Sequence, residues 1–289
     1  MRAFRILAMV GGGVVALLAL LVVFLQTPPG QRTLAALVSG KSLQVSGLGG
    51  FFPTDVSVAK VELLDEQGPW LHVENARLRW SFTSLFEGRV RVEALSASLV
   101  DVLRPAVPDK TEQAAKTSDS FALPVGVDVQ ALSIDTLHLA TAVAEIESRW
   151  AVHGNGLLSA DLHEGRLRLS GDRSDGPSGK LSADIRFDLA QRTVDGEIAL
   201  EEGTDGVAAG LLQRPDLDRI SMRLVAKGDA ASGSGDLTLS AGDAATATGT
   251  ARWQPNGAAT AVSVRLEAAG ARLAEHGGPV SLSAEATLD

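Results

Sequence analysis

Any catalytic or metal chemistry in this 289-residue chain has to be built from five histidines and scattered carboxylates, because it contains no cysteine. The histidines are His72, His138, His153, His163 and His276. His153 and His163 are ten residues apart with no third ligand at a metal-site spacing and no HExxH pairing, so they read as solvated turn histidines. Asp172-Arg173-Ser174-Asp175-Gly176 begins like a calcium loop, but Ser holds the third ligand position and no bidentate Glu follows at the twelfth. It reads as a hairpin turn. Glu201-Glu202 reads as a solvated pair on a turn. There is no GxSxG elbow, Walker loop or GxGxxG after a strand, and Gly233-Ser234-Gly235 is too short to cradle a phosphate. The residues therefore point to a protein that is not an enzyme, with no cofactor and no metal site.

Composition narrows the classes further. With 35 acidic and 26 basic residues the formal charge is -9, and no long Lys/Arg run supplies the footprint a phosphate backbone needs, so nucleic acid is not an expected partner. A hydrophobic content of 45% excludes a disordered chain. Without cysteine there are no disulfides, and stability must come from hydrogen-bonded sheet and apolar burial. Aromatics are 4% with no Tyr, too few for the two girdles of an outer-membrane barrel.

The elements that would position such residues begin with a membrane span. Ile6 to Leu25 is almost wholly apolar, about 20 residues that rise roughly 30 Å as a helix, the thickness of a bilayer core. Arg2 and Arg5 precede it and no further Lys or Arg occurs before Arg32, so the positive-inside bias keeps the N-terminus in the cytoplasm and the bulk of the chain outside. A cleaved signal peptide is the competing reading, but its apolar region is usually shorter and small residues precede its cut, whereas Phe24-Leu25-Gln26-Thr27-Pro28-Pro29 follows here. We divide the chain into a cytoplasmic end and anchor (1–27), a short helix (28–40), a first β module (41–104), a polar linker (105–124) and a second β module (125–289).

From Leu43 onward the apolar period is two for nearly the whole chain. Leu181, Ala183, Ile185, Phe187 and Leu189 alternate with Ser182, Asp184, Arg186 and Asp188, and Arg166-Leu167-Arg168-Leu169 repeats the pattern. Turn signals such as Glu87-Gly88, Glu164-Gly165, Asp195-Gly196 and Gly228-Asp229 separate the runs, which predicts an antiparallel meander. The apolar phase slips by one between Val58 and Val61 and between Val73 and Ala76, as a bulge that bends a sheet would make it. Pro105 to Ser120 is polar and reads as an exposed linker between the two modules. The chain ends at Asp289 within what reads as a continuing strand, so it is expected to be the N-terminal piece of a longer protein.

The predicted fold is mainly β, a transmembrane helix followed by a long curved antiparallel sheet. If nothing covers its apolar face, that face is a greasy groove suited to acyl chains. By alternation the groove residues are Val56, Val58, Leu71, Val73, Leu78, Val90, Val92, Val125, Val127, Val129, Leu181, Ile185, Phe187 and Leu189. Period two equally allows a two-sheet sandwich or a β-solenoid, in which the protein would be a tethered scaffold that positions a partner. A sheet edge offered to an unfolded barrel strand is a third reading.

The order of several weak motifs carries a resemblance. These are Thr27-Pro28-Pro29-Gly30, Val45-Ser46-Gly47-Leu48-Gly49-Gly50-Phe51-Phe52-Pro53, Val61-Glu62-Leu63-Leu64-Asp65, Gly68-Pro69-Trp70-Leu71, Leu78-Arg79-Trp80 and Ser84-Leu85-Phe86-Glu87-Gly88, then Leu123-Pro124-Val125 through Leu132-Ser133-Ile134. Together they resemble the N-terminal part of the TamB family, inner-membrane subunits of the translocation and assembly module within the AsmA-like group. The resemblance covers roughly the first 225 residues. It implies a periplasmic β-taco anchored in the inner membrane of a Gram-negative bacterium, acting in phospholipid transport to the outer membrane, in outer-membrane protein assembly with a TamA-type barrel, or in both. The family's partner-binding C-terminal domain is not in this sequence, and the family has no catalytic motif.

Overall fold

The computed structural model describes residues 40, 42–107, 125–161, 163–176, 178–211, 219–229, 231–242, 245–256, 259–269 and 280–288. The expected span Ile6 to Leu25, residues 28–39 of the expected helix and residues 108–124 of the expected linker lie outside them. Fourteen strands occur among the described residues: β1 (Leu43–Phe51), β2 (Asp55–Asp65), β3 (Gly68–Ser81), β4 (Arg89–Val102), β5 (Gly126–Leu139), β6 (Ser148–Leu158), β7 (Glu164–Arg173), β8 (Gly179–Asp188), β9 (Thr193–Glu202), β10 (Ile220–Gly228), β11 (Gly233–Ala241), β12 (Ala245–Asn256), β13 (Ala259–Ala269) and β14 (Val280–Leu288). They form one open sheet in chain order, not a two-sheet sandwich.

The antiparallel expectation needs one correction: β4 and β5 run parallel, from Arg89 opposite Gly126 to Val102 opposite Leu139. A parallel neighbour requires the chain to travel back the length of β4, and a hairpin turn cannot do that. The hydrogen-bonded ladder thus passes from the first group of strands to the second without interruption.

Alternation holds the two faces apart across the sheet. One register row runs Gly50, Val56, Leu78, Leu95, Leu132, Gly154, Leu169, Ala183, Ile198, Leu224, Leu237, Gly249 and Leu266, whose partner on β14 is Leu282. Every member is apolar or glycine. The adjacent row passes through Ser57, Arg77, Ser96, Ser133, His153, Ser170, Ser182, Ala199, Arg223, Thr238, Thr248 and Glu267, polar at every position but Ala199. Because side chains of successive residues point to opposite sides, one face is dry and the other wet.

Irregularities keep the apolar phase on one side of the longest strands. Residues 130 and 131 of β5 oppose Asn155 alone, since Val129 pairs with Gly156 and Leu132 with Gly154. Residues 135 and 136 likewise oppose Ala151, between the Ile134–Val152 and Leu137–Trp150 pairs. On β4, Ala94 pairs with Arg79 and Val92 with Trp80, leaving Glu93 as the extra residue. At the phase slips in β1, β2 and β3 the register is unbroken, because Gly47, Ala59 and Asn75 form one aligned row. Gly47 and Asn75 take positive φ there, 65° and 50°, and a Cβ on Gly47 would collide with that of Ala59. Asn75 Nδ2 donates to Ser98 Oγ at 3.0 Å, stitching the kinked row to β4.

Two short helices, α1 (Thr141–Ala144) after β5 and α2 (Val207–Leu211) after β9, approach each other to within 8 Å between Cα atoms. Four ladder steps of a flat sheet would separate the ends of β5 and β9 by about 19 Å. The helices therefore lean over the ends of the strands between them. Ala209 of α2 and Ile220 of β10 make a small buried cluster among the described residues.

Candidate functional site

An apolar trough of about 570 Å³ lies on the dry face. Its walls include Leu95 of β4, Val127, Val129 and Leu132 of β5, Leu158 of β6, Leu167 and Leu169 of β7, and Ile185 and Phe187 of β8. Leu95 and Phe187 lie four ladder steps apart, so the sheet curves toward the trough to let both line it. Its floor is made of missing side chains. Gly156 and Gly165 line it and Gly154 stands beside them in the central row; a Cβ on Gly165 would fall inside the Phe187 ring, one on Gly154 would meet the Arg168 carbonyl and Leu169 Cδ1, and one on Gly156 would meet the Arg166 carbonyl at 3.2 Å. Phe187 fills the space that Gly165 leaves, and Leu169 crowds that of Gly154.

The trough is open. Leu95, Leu167, Leu224 and Leu266 are 37%, 42%, 38% and 40% exposed, although all four stand on the apolar face. A face sealed by a second layer would bury such residues almost completely. On the wet side, Arg168 Nε donates to Asp184 at 2.9 Å and Arg223 Nε to Glu197 at 2.8 Å. The hydrogen bond from Arg223 holds the Glu197 carboxyl below its usual range.

A polar plug closes the dry face where β6, β7 and β9 end near the short helices. Trp150 Nε1 donates to Ser148 Oγ at 3.1 Å. The Arg173 side chain, 2% exposed, pairs with Asp175 at 2.6 Å and donates to the Asp205 carbonyl at 2.5 Å. Glu202, also 2% exposed, accepts from the amides of Val207 at 3.0 Å and Ala208 at 2.8 Å. This corrects the sequence reading of Glu201-Glu202 as a solvated pair: Glu201 is exposed, whereas Glu202 is buried and holds the start of α2.

Of the residues expected in the groove, Val127, Val129, Ile185 and Phe187 come together in the trough. Val56 and Leu78 share its central row, Val58 lies beside them, and Leu71, Val73, Val90 and Val92 continue the dry face toward β2 and β4. Leu181 faces Gly171, near the plug. Val125 lies just before β5, and Leu189 lies in the turn after β8, where it is 56% exposed. Leu95, Leu132, Leu158, Leu167 and Leu169 were not among the expected groove residues. Leu167 and Leu169 were visible as an alternating pair, but Leu95 and Leu132 follow extra residues that reset the phase.

The residues considered for chemistry are dispersed. His138 lies between Asp101 at 2.7 Å and Glu147 at 3.1 Å, and His72 lies 3.4 Å from Glu74. His163 contacts Asp161 at 2.9 Å, and hydrogen bonds from Ser159 and His163 lower the Asp161 carboxyl to about 2. His153 is in the wet row and His276 lies outside the described residues. No group of three or more His, Asp or Glu that could hold a metal ion occurs among the described residues. Nor is any described helix long and apolar enough to cross a membrane.

The fold thus defines a class: a single open, mostly antiparallel sheet with an apolar face that the described residues leave uncovered. Residues 17–151 match the family model TamB, N-terminal domain, so this portion of the chain is of the TamB type. The match takes in β1 to β5 and the first residues of β6. Neither a curated protein nor a solved structure matches the chain.

Proposed function

We propose that the protein is an envelope-biogenesis factor of the translocation and assembly module, held in the inner membrane by Ile6 to Leu25, with its sheet in the periplasm and phospholipid acyl chains on its dry face. The unbroken apolar row through the sheet carries this reading, because it offers a hydrocarbon chain a continuous path across successive strands. The TamB-type match to residues 17–151 agrees with that setting. The protein acts by binding and guiding, with no chemistry of its own.

Lipid analysis of the purified full chain tests the reading. Phospholipid should copurify with the native protein and fall several-fold in Ile185→Asp, with circular dichroism unchanged. Equal lipid content in the two, with both folded, would instead support the tethered scaffold.

A further inference from the structure

A second apolar feature lies at the first strands and is separate from the trough. The 3-10 turn Phe82–Glu87 after β3 displays Phe82 and Phe86, 48% and 84% exposed, and Phe51 at the end of β1 is 66% exposed. Trp80 joins them. Its ring packs edge-on to Phe82 with centroids 6.0 Å apart, Phe82 packs edge-on to Phe86 at 6.0 Å, and its indole N–H donates to the Pro53 carbonyl at 2.6 Å. The turn is firmly built: Ser84, 3% exposed, donates to the Ser81 carbonyl at 2.6 Å and accepts from the Arg91 amide at 3.0 Å. Four of the eight phenylalanines of the chain, Phe51, Phe52, Phe82 and Phe86, are gathered here. A rigid tip that keeps three phenyl rings in water is a surface made to leave it.

We infer that this aromatic tip inserts into the headgroup–acyl boundary of the same bilayer that holds the N-terminal span. The inference rests on the reading of Ile6 to Leu25 as that span. Chain length favours this occupant over a protein partner. With 28–40 read as a helix, the 17 residues between Leu25 and Leu43 still reach about 33 Å, about the length of β1, so the tether lets the tip at the far end of β1 return to the membrane beside the anchor. Trp80 stands opposite Val92, in the phase of the dry face. The tip therefore continues into the apolar face through Phe86, Phe82 and Trp80, and its insertion opens that face to the adjoining leaflet.

The absence of native cysteine makes the test clean. The full chain is placed in vesicles of phosphatidylethanolamine and phosphatidylglycerol containing brominated phospholipid, with a bimane label on Phe86→Cys or, as control, on Gln67→Cys in the β2–β3 turn at the opposite ends of the strands. Position 86 is mostly exposed, so the substitution leaves the fold intact, which circular dichroism checks. Quenching at 86 should exceed that at 67 at least two-fold, and adding Phe82→Ser should reduce it. Equal quenching at the two sites, or none at either, overturns the inference. Lipid adducts at position 185 report the groove independently: adducts there without quenching at 86 refute the tip alone, and quenching at 86 without adducts refutes the groove alone.

Discussion

Truncating Leu167 to alanine separates an open trough from a sealed core by the size of its effect. The substitution removes three carbons, worth about 2.4 kcal/mol if fully buried at about 0.8 kcal/mol per methylene. Leu167 is 42% exposed, which scales the expected loss to about 1.4 kcal/mol. Water or lipid can enter the vacated space, so no cavity cost is added. In a closed core the same change leaves a void and costs about 2.7–5 kcal/mol. Urea unfolding of the full chain in mild detergent, followed by tryptophan fluorescence, should show the midpoint falling by about 0.5–1 M for a slope near 2 kcal/mol/M. Val152→Ala provides an internal scale. Val152 is 7% exposed on the same face, so losing only two carbons there should cost at least as much, about 1.5 kcal/mol. A loss above about 3 kcal/mol for Leu167→Ala would mean that something covers the trough, and the reasoning would fail.

Gly165→Val should displace Phe187 into the trough, lowering bound lipid several-fold by mass spectrometry while costing about 1–3 kcal/mol of stability. Glu202→Ala should leave the Val207 and Ala208 amides without their carboxylate, cost about 2 kcal/mol and speed hydrogen exchange across α2, whereas Glu202→Gln, keeping one acceptor, should do so less. Arg104 hydrogen-bonds Asp65 and, with the Val107 amide, holds its carboxyl well below the usual range. Its folded-state pKa is depressed, so its stabilisation is fully present above the unfolded carboxyl pKa of about 4 and is lost as pH falls below that. The protection factor at Val107, its exchange rate relative to the intrinsic amide rate at each pH, should therefore be unchanged from pH 7 to 5 and fall progressively below about pH 4, and Asp65→Asn should lower it already at pH 7.

Strand identity and face were legible because alternation is a local property: Leu181, Ile185 and Phe187 announce one side of β8 whatever lies beside it. The parallel pairing of β4 with β5 was not, since nothing in the strands says whether the chain between them turns or returns. The trough itself depends on residues from β4 to β8 meeting through curvature and on glycines at positions 154, 156 and 165, whose contribution is the absence of a side chain. Glu202 escaped notice for a similar reason. Its role comes from amides five and six residues later that fold back onto it.

Site-specific photo-crosslinking in a Gram-negative host tests the central claim most directly. A photoreactive residue at position 185 faces the trough, and one at the neighbouring position 186 faces the wet side, where Arg186 pairs opposite Asp195. The account predicts phospholipid adducts at 185 and none at 186. A folded protein with no adduct at either position, or with equal adducts at both, would contradict it.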